Sequence, residues 1–189
     1  AVPFFWNIAP DRDLTLTPAF LTQQGVLMQG EWRQRLINGS YTIRAAGIAQ
    51  QNPQDFITTS NGITEILPGY RQDRGSVDSS GAFALNKFWT FGWDGTIVSD
   101  RTFLRDYNLI PDNTTTKTST VYLTGQGDRS YFDLRGLYFL GLGVTDDQAR
   151  QPIVGTLNYD KVFNNALWGG EAGFKVNLTS LTRQQADFI

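Results

Sequence analysis

The sequence of 189 residues contains no cysteine and no histidine. Those two absences remove disulfides, thiol catalysis, His–Cys metal sites and Ser-His-Asp triads, and they leave the redox compartment unreadable. Charge is scarce as well. Only 18% of residues are Asp, Glu, Lys or Arg, with a net formal charge of −2, so nothing points to a nucleic-acid partner. No apolar run approaches the roughly 20 residues of a spanning helix, which excludes a helical membrane protein. It says nothing against a β-barrel, whose strands need only about 9–11 residues each. The first residues, Ala1-Val2-Pro3-Phe4-Phe5-Trp6, form neither an initiator methionine nor a signal peptide. A processed or excised segment is therefore expected.

What is present favours β-structure: 13% aromatics, 19 glycines and recurrent threonine and serine. The dominant pattern is period-two alternation in segments of about ten residues. In Val26–Leu36, Val26, Met28, Gly30, Trp32 and Leu36 share one face, and Gln29, Glu31, Arg33 and Arg35 share the other. Asn38-Gly39 follows, a strong hairpin signal. The same rhythm predicts strands over 3–8, 13–20, 40–50, 76–86, 89–98, 118–126, 130–142, 153–160 and 170–181. The segments 51–73 and 100–116 read as long loops, with one or two helical turns over 101–107 capped by Asp100. No composition shift marks a boundary, so residues 1–189 read as one unit. The expected fold is all-β, an antiparallel up-and-down meander of about ten strands forming part of a transmembrane β-barrel.

A soluble β-sandwich also alternates, and three features favour the barrel. Strands of ten or more residues exceed the usual five or six of soluble sheets. Aromatics gather near strand ends, as at Phe4, Phe5 and Trp6, at Phe88 and Trp89, at Tyr131 and Phe132, at Tyr159, and at Phe163 and Trp168. Interfacial girdles do this, and Trp6, Trp89 and Trp168 are the expected anchors. Full charges stand in mid-strand on the polar face, among them Glu31, Arg33, Arg44, Asp94 and Arg135, where a wet lumen tolerates them.

The run Pro3-Phe4-Phe5-Trp6-Asn7-Ile8-Ala9-Pro10 leads into Asp13-Leu14-Thr15-Leu16-Thr17-Pro18. Gln24-Gly25-Val26-Leu27-Met28 and Gly30-Glu31-Trp32-Arg33 follow. Together they resemble the start of the barrel of the LptD family of lipopolysaccharide-assembly proteins. Val98-Ser99-Asp100 and Leu134-Arg135-Gly136-Leu137-Tyr138-Phe139 fit the same family and look most like its alphaproteobacterial branch. The resemblance implies the first ten or so strands of a large outer-membrane barrel in a Gram-negative bacterium. The family's jelly-roll domain, remaining strands and bridging cysteines would lie outside this chain. It implies lipopolysaccharide as cargo and outer-membrane lipid as surroundings. An LptE-like lipoprotein plug and a periplasmic LptA-type jelly-roll bridge would be the partners. Neither a cofactor nor an enzymatic activity is expected.

Pro3 and Pro18 are the sharpest site candidates, because proline donates no ladder hydrogen bond. Read from the residues alone, Pro3 precedes a strand, while Pro18 marks either a bulge or edge, or a deliberately weakened strand. The resemblance implies that both loosen a lateral gate between first and last strands. The lumen-facing charges Glu31, Arg33, Arg44, Asp94 and Arg135 have two readings. They either contact a phosphorylated sugar chain in passing, or pair with carboxylates on neighbouring strands and keep the lumen wet. Asp94, Asp133 and Glu171 lack any motif of a glycosidase pair, and Asp146-Asp147 lacks the ligand spacing of a calcium loop. A different outer-membrane barrel, porin or autotransporter-like, and a soluble carbohydrate-binding β-sandwich stand as the alternatives.

Overall fold

The computed structural model describes residues 2–111, 113–144, 151–164 and 169–185. The alternating segments become strands, each antiparallel to the next: β1 (Phe4–Ala9), β2 (Arg12–Leu21), β3 (Gly25–Leu36), β4 (Gly39–Ala49), β5 (Ile57–Ser60), β6 (Ile63–Ile66), β7 (Asp73–Ala84), β8 (Trp89–Val98), β9 (Thr116–Gly127), β10 (Ser130–Gly141), β11 (Ile153–Phe163) and β12 (Ala172–Thr182). A single helical turn, α1 (Phe103–Asp106), sits between β8 and β9. Ten strands form one sheet in the order β1-β2-β3-β4-β7-β8-β9-β10-β11-β12, and β5 and β6 pair only with each other. Among the described residues β1 and β12 each have a neighbour on one side only.

Register fixes the two faces, because a slip of one residue would exchange them. One cross-strand row reads Leu16, Gly30, Ala45, Val77, Ile97. The adjacent row, on the opposite face, reads Thr15, Glu31, Arg44, Asp78, Thr96. The first face is bare. Phe20, Met28, Ile43, Val77, Ile97, Val121, Leu134 and Leu178 all stand exposed on it, and no second sheet covers them among the described residues. A soluble sandwich would bury these side chains between two layers, so that alternative is set aside.

Aromatic rings on the apolar face concentrate toward the end of the tight turns. Phe83 stacks on Trp93, Phe91 lies beside Trp93, Trp89 meets Phe132, and Tyr159 meets Phe174. Trp32 donates its indole N–H to the Tyr41 hydroxyl. Several rings lie flat across a glycine of the next strand. A Cβ on Gly125 would come within 2.9 Å of the Trp89 ring, so the bare backbone there is what lets the ring lie down.

Two turns correct the sequence reading. The β3–β4 hairpin turns on Ile37 and Asn38, and Gly39 is already the first residue of β4, opposite Leu36. Glycine is required there by space: a Cβ would lie 2.2 Å from the Ala82 carbonyl oxygen. The Asn-Gly turn in which both residues have positive φ is instead Asn61-Gly62, at 52° and 78°, the primed-turn geometry that Asn-Gly favours. It joins β5 to β6 inside the segment expected to be an unstructured loop.

The sheet's two ends differ. Tight turns join β1–β2, β3–β4, β7–β8 and β9–β10 at one end, whereas the connections 50–72, 99–115 and 142–152 lie at the other, together with the start of β1. The main sheet thus has the expected ten or so strands, and the chain's start lies beside the long connections. Replacing Gly39 with Ala should cost about 1–3 kcal/mol, since the blocking atom is backbone that can move only by bending β7. Thermal loss of the heat-modifiable gel mobility of the full-length protein would measure it.

Candidate functional site

The described core is small and lies on the charged face, at the end of the long connections. Leu27 and Ile48 of the wall, Phe103 and Leu104 of α1, and Leu140 and Leu142 are buried together. The 99–115 connection thus folds back onto the sheet as a shelf. Its helical turn ends in a Schellman motif. Asn108 takes a positive φ of 51°, the Leu109 N–H donates to the Leu104 carbonyl, and the Asn108 N–H donates to the Arg105 carbonyl. The expected cap is modified. Thr102 stands at the N-cap without a side-chain cap bond. Asp100 sits two residues earlier and accepts the Thr102 N–H.

Arg74 locks the shelf to the wall. Its side chain is fully buried. Nε and Nη2 donate to the two Asp100 oxygens at 2.8 and 2.7 Å, and Nη2 also reaches Asp106 at 2.7 Å and Thr102 Oγ1 at 3.1 Å. The rings of Phe56, Tyr107 and Phe103 surround the guanidinium at 4.7, 5.3 and 5.5 Å, while Nη1 has no hydrogen-bond partner among the described residues. Burial pushes the Asp100 carboxyl up, but the hydrogen bond and charge of Arg74, helped by Ser99 and Thr102, outweigh it and hold the group below its ordinary 3.8. Burial likewise raises the Tyr107 hydroxyl above its ordinary 10.0, keeping it a neutral donor to Gln50 Oε1 at 2.6 Å. Gln50 is itself buried and donates to the carbonyls of Gly69 and Arg71. One glutamine so joins the 50–72 connection to the shelf.

Between shelf and wall runs a groove of about 370 Å³. The wall contributes Thr15, Thr17, Gln29, Glu31, Arg33, Arg44, Asp78 and Lys117, and the shelf contributes Leu104, Leu109 and Ile110. Glu31 lies between two arginines, accepting from Arg44 Nε and standing 3.4 Å from Arg33 Nε. Arg33 Nε also donates to Asp13 at 2.8 Å. The ladder between β8 and β9 ends at Asp94 opposite Thr120. Beyond it, the Thr96 N–H donates to Ser119 Oγ, Thr96 Oγ1 donates to Asp78, and Lys117 stands 3.7 Å from Asp78.

The sequence candidates fall as follows. Glu31, Arg33 and Arg44 come together at the groove. Arg135 forms a separate pair with Asp133, donating through Nε and Nη2 at 2.8 Å each, with Tyr131 donating to the same carboxylate. Asp94 stands exposed on the same face with no ion pair among the described residues. Glu171 is held by Arg129 at the β11–β12 turn, on a different connection from Asp94 and Asp133. Trp6 and Trp89 lie on the apolar face near the tight-turn end, opposite Leu14 and Gly125. Trp168 and Asp146-Asp147 lie outside the described residues. Pro3 is exposed just before β1. The β1 ladder stops at Phe4 opposite Leu16, so Pro18 lies beyond it on β2, paired with Met28 on the β3 side. Arg74, Gln50, Thr102 and Asp106 went unnoticed in the sequence. Their only signal is a cluster of small polar and acidic residues, Ser99-Asp100 to Asp106, beside an arginine that looks like the end of a polar loop.

A family model described as "LptD: LPS transport system D" matches residues 72–187. The chain belongs to the LptD family. It is 31% identical to the LPS-assembly protein LptD of Shewanella frigidimarina over 136 residues, 70% of this chain and 15% of that protein. It is 27% identical to LptD of Pseudomonas aeruginosa over 139 residues, 74% and 13% respectively. With LptD of Saccharophagus degradans identity is 33% over 118 residues, 56% of this chain and 13% of the relative. The chain thus spans about one seventh of the length of these LptD relatives. With its ten-stranded antiparallel sheet, bare and apolar on one side, it forms part of a barrel in the outer membrane of a Gram-negative bacterium.

Replacing Arg74 with Met strands the Asp100 and Asp106 carboxylates and should cost about 3–5 kcal/mol locally, with protease cleavage of the 99–115 connection as the readout. The triple variant R74M/D100N/D106N should recover part of it. The depressed Asp100 carboxyl stabilises the shelf above its ordinary 3.8 and loses that contribution as pH falls through its lower value in the folded protein. Hydrogen exchange in 99–115 should therefore stay slow from neutral pH to about 4 and accelerate below it.

Proposed function

We propose that this chain forms the opening strands of an LptD barrel, residues 1–189 being a single stretch of wall, and that it serves lipopolysaccharide transport and insertion into the outer leaflet. One observation carries the reading: in a chain of this family, a single sheet leaves its apolar side bare and confines its charges to the other. Lipid tails would cover the first side, and the second would line a watery path for the sugar chain. The protein acts as a conduit and not as a catalyst. Its partners would be an LptE-like lipoprotein inside the barrel and an LptA-type jelly-roll bridge, reached through polypeptide beyond this chain. The start of β1 and the interlocked long connections would face the periplasm, so the shelf would stand at the lumen's entry. Trp6 and Trp89 would anchor the opposite rim among headgroups.

Pro3 and Pro18 would act at the gate. β1 has an unpaired outer edge among the described residues, and the two prolines bracket the point where its ladder to β2 ends. Neither can donate a bond that would zip the seam further.

Two measurements check this. Single cysteines at Thr42 and Ile43, adjacent positions on opposite faces of β4, should differ in the assembled full-length protein. The cysteine at Thr42 should react with a hydrophilic thiol reagent, and that at Ile43 should resist it. Equal reactivity overturns the membrane placement. Replacing Pro3 and Pro18 with Ala should slow the appearance of lipopolysaccharide at the cell surface, and an unchanged delivery rate removes the gate assignment.

A further inference from the structure

Formal charge on the inner face is nearly balanced, but its arrangement is not. In the wall's ion pairs the carboxylate lies against the sheet and the cation stands off it. The Arg44 side chain is 66% exposed against 26% for Glu31, Arg33 49% against 25% for Asp13, Arg135 46% against 5% for Asp133, and Lys175 77% against 39% for Asp160. Lys117 and Asp78 are equally exposed, Arg74 of β7 is the buried partner in its own pairs, and pairs at the turns do not follow the rule. The longer side chain of arginine reaches farther from the backbone, and the short carboxylates bind it at their own height. A solute in the lumen therefore meets the cation first and the anion a few ångströms behind it. Within a screening length of about 8 Å that order decides the sign of the local field.

The bonding geometry leaves those cations free to bind. Arg33 and Arg44 engage Asp13 and Glu31 through Nε alone, so both terminal nitrogens of each guanidinium have no acceptor among the described residues. Two open forks stand side by side on one glutamate, flanked by the Thr15 and Thr17 hydroxyls and by Lys117 across the groove. A guanidinium fork matches two phosphate oxygens, and the hydroxyls match those of a sugar. We propose that Arg33 and Arg44, with Lys117, form a binding site for a phosphate-bearing sugar chain in the groove beneath the shelf. Arg135 and Lys175 continue the same cationic layer around the wall. Asp94, an exposed carboxylate on β8, interrupts that layer between Arg44 and Arg135. The site rests on the proposal that this face lines the lumen, and it assigns the cargo's phosphates to particular residues.

The test uses the full-length protein in detergent and a deacylated, phosphorylated core oligosaccharide of lipopolysaccharide. The same oligosaccharide stripped of phosphate, and inorganic phosphate alone, serve as the other probes. Arg33→Gln with Arg44→Gln should weaken binding of the phosphorylated chain about tenfold at low salt and leave the stripped chain unchanged. R33K/R44K should restore only the part that charge alone supplies, leaving binding weaker than with the two guanidinium forks, and heat-modifiable mobility should show all variants folded. Equal binding of phosphorylated and stripped chains, or no loss in the glutamine variant, overturns the site. Displacement by equimolar inorganic phosphate overturns the assignment to a sugar chain. The thiol reactivity at Thr42 separates the two levels. A protected Thr42 cysteine brings down the lumen and the site together, and a reactive one with no charge selectivity brings down the site alone.

Discussion

An unbonded peptide group in hydrocarbon costs several kcal/mol, and no water is at hand to relieve it. The whole architecture follows from that penalty. It requires strands long enough to cross, ladders continuous from one to the next, and apolar side chains on the face that meets the tails. The row Leu16, Gly30, Ala45, Val77, Ile97 meets the requirement, and its neighbour Thr15, Glu31, Arg44, Asp78, Thr96 uses the freedom left on the other side.

Where the wall opens, side chains take over the bonding. Beyond Asp94 the β8–β9 ladder ends and Ser119 Oγ supplies the acceptor that a backbone carbonyl would have given. The strands part at the end where the 99–115 connection turns inward. Arg74, with carboxylates on one side and three aromatic faces on the others, fixes that connection as a shelf. A buried cation held by two carboxylates resists displacement, because any motion that parts it from Asp100 and Asp106 leaves charge in a dry environment. The groove beneath the shelf keeps its shape for the same reason.

The inner face shows why a charge count is a poor guide to a field. Arg33, Arg44 and Arg135 pair with Glu31, Asp13 and Asp133, as a balanced wet lining would have them do. The radial order of each pair nevertheless turns a neutral wall into a surface of outward-facing guanidinium groups. Geometry supplies a sign that composition lacks.

The sequence by itself determined the ten strands of the main sheet and their two faces, though not β5 and β6. Period-two alternation is a local property, and each segment from Val26–Leu36 to 170–181 carries it without help from the rest of the chain. The long family-like opening run was equally legible. The mid-chain turns were less so. Asn38-Gly39 and Asn61-Gly62 look alike as dipeptides, and only the neighbouring strand, through the Ala82 carbonyl, decided that Gly39 serves for space and Gly62 for backbone conformation. Tertiary structure alone decided the shelf. Arg74 finds Asp100 and Asp106 across 26 and 32 residues, and contacts at such separation have no period for a linear pattern to reveal. It also decided the exposure of each cation, which depends on side-chain length measured from a common wall.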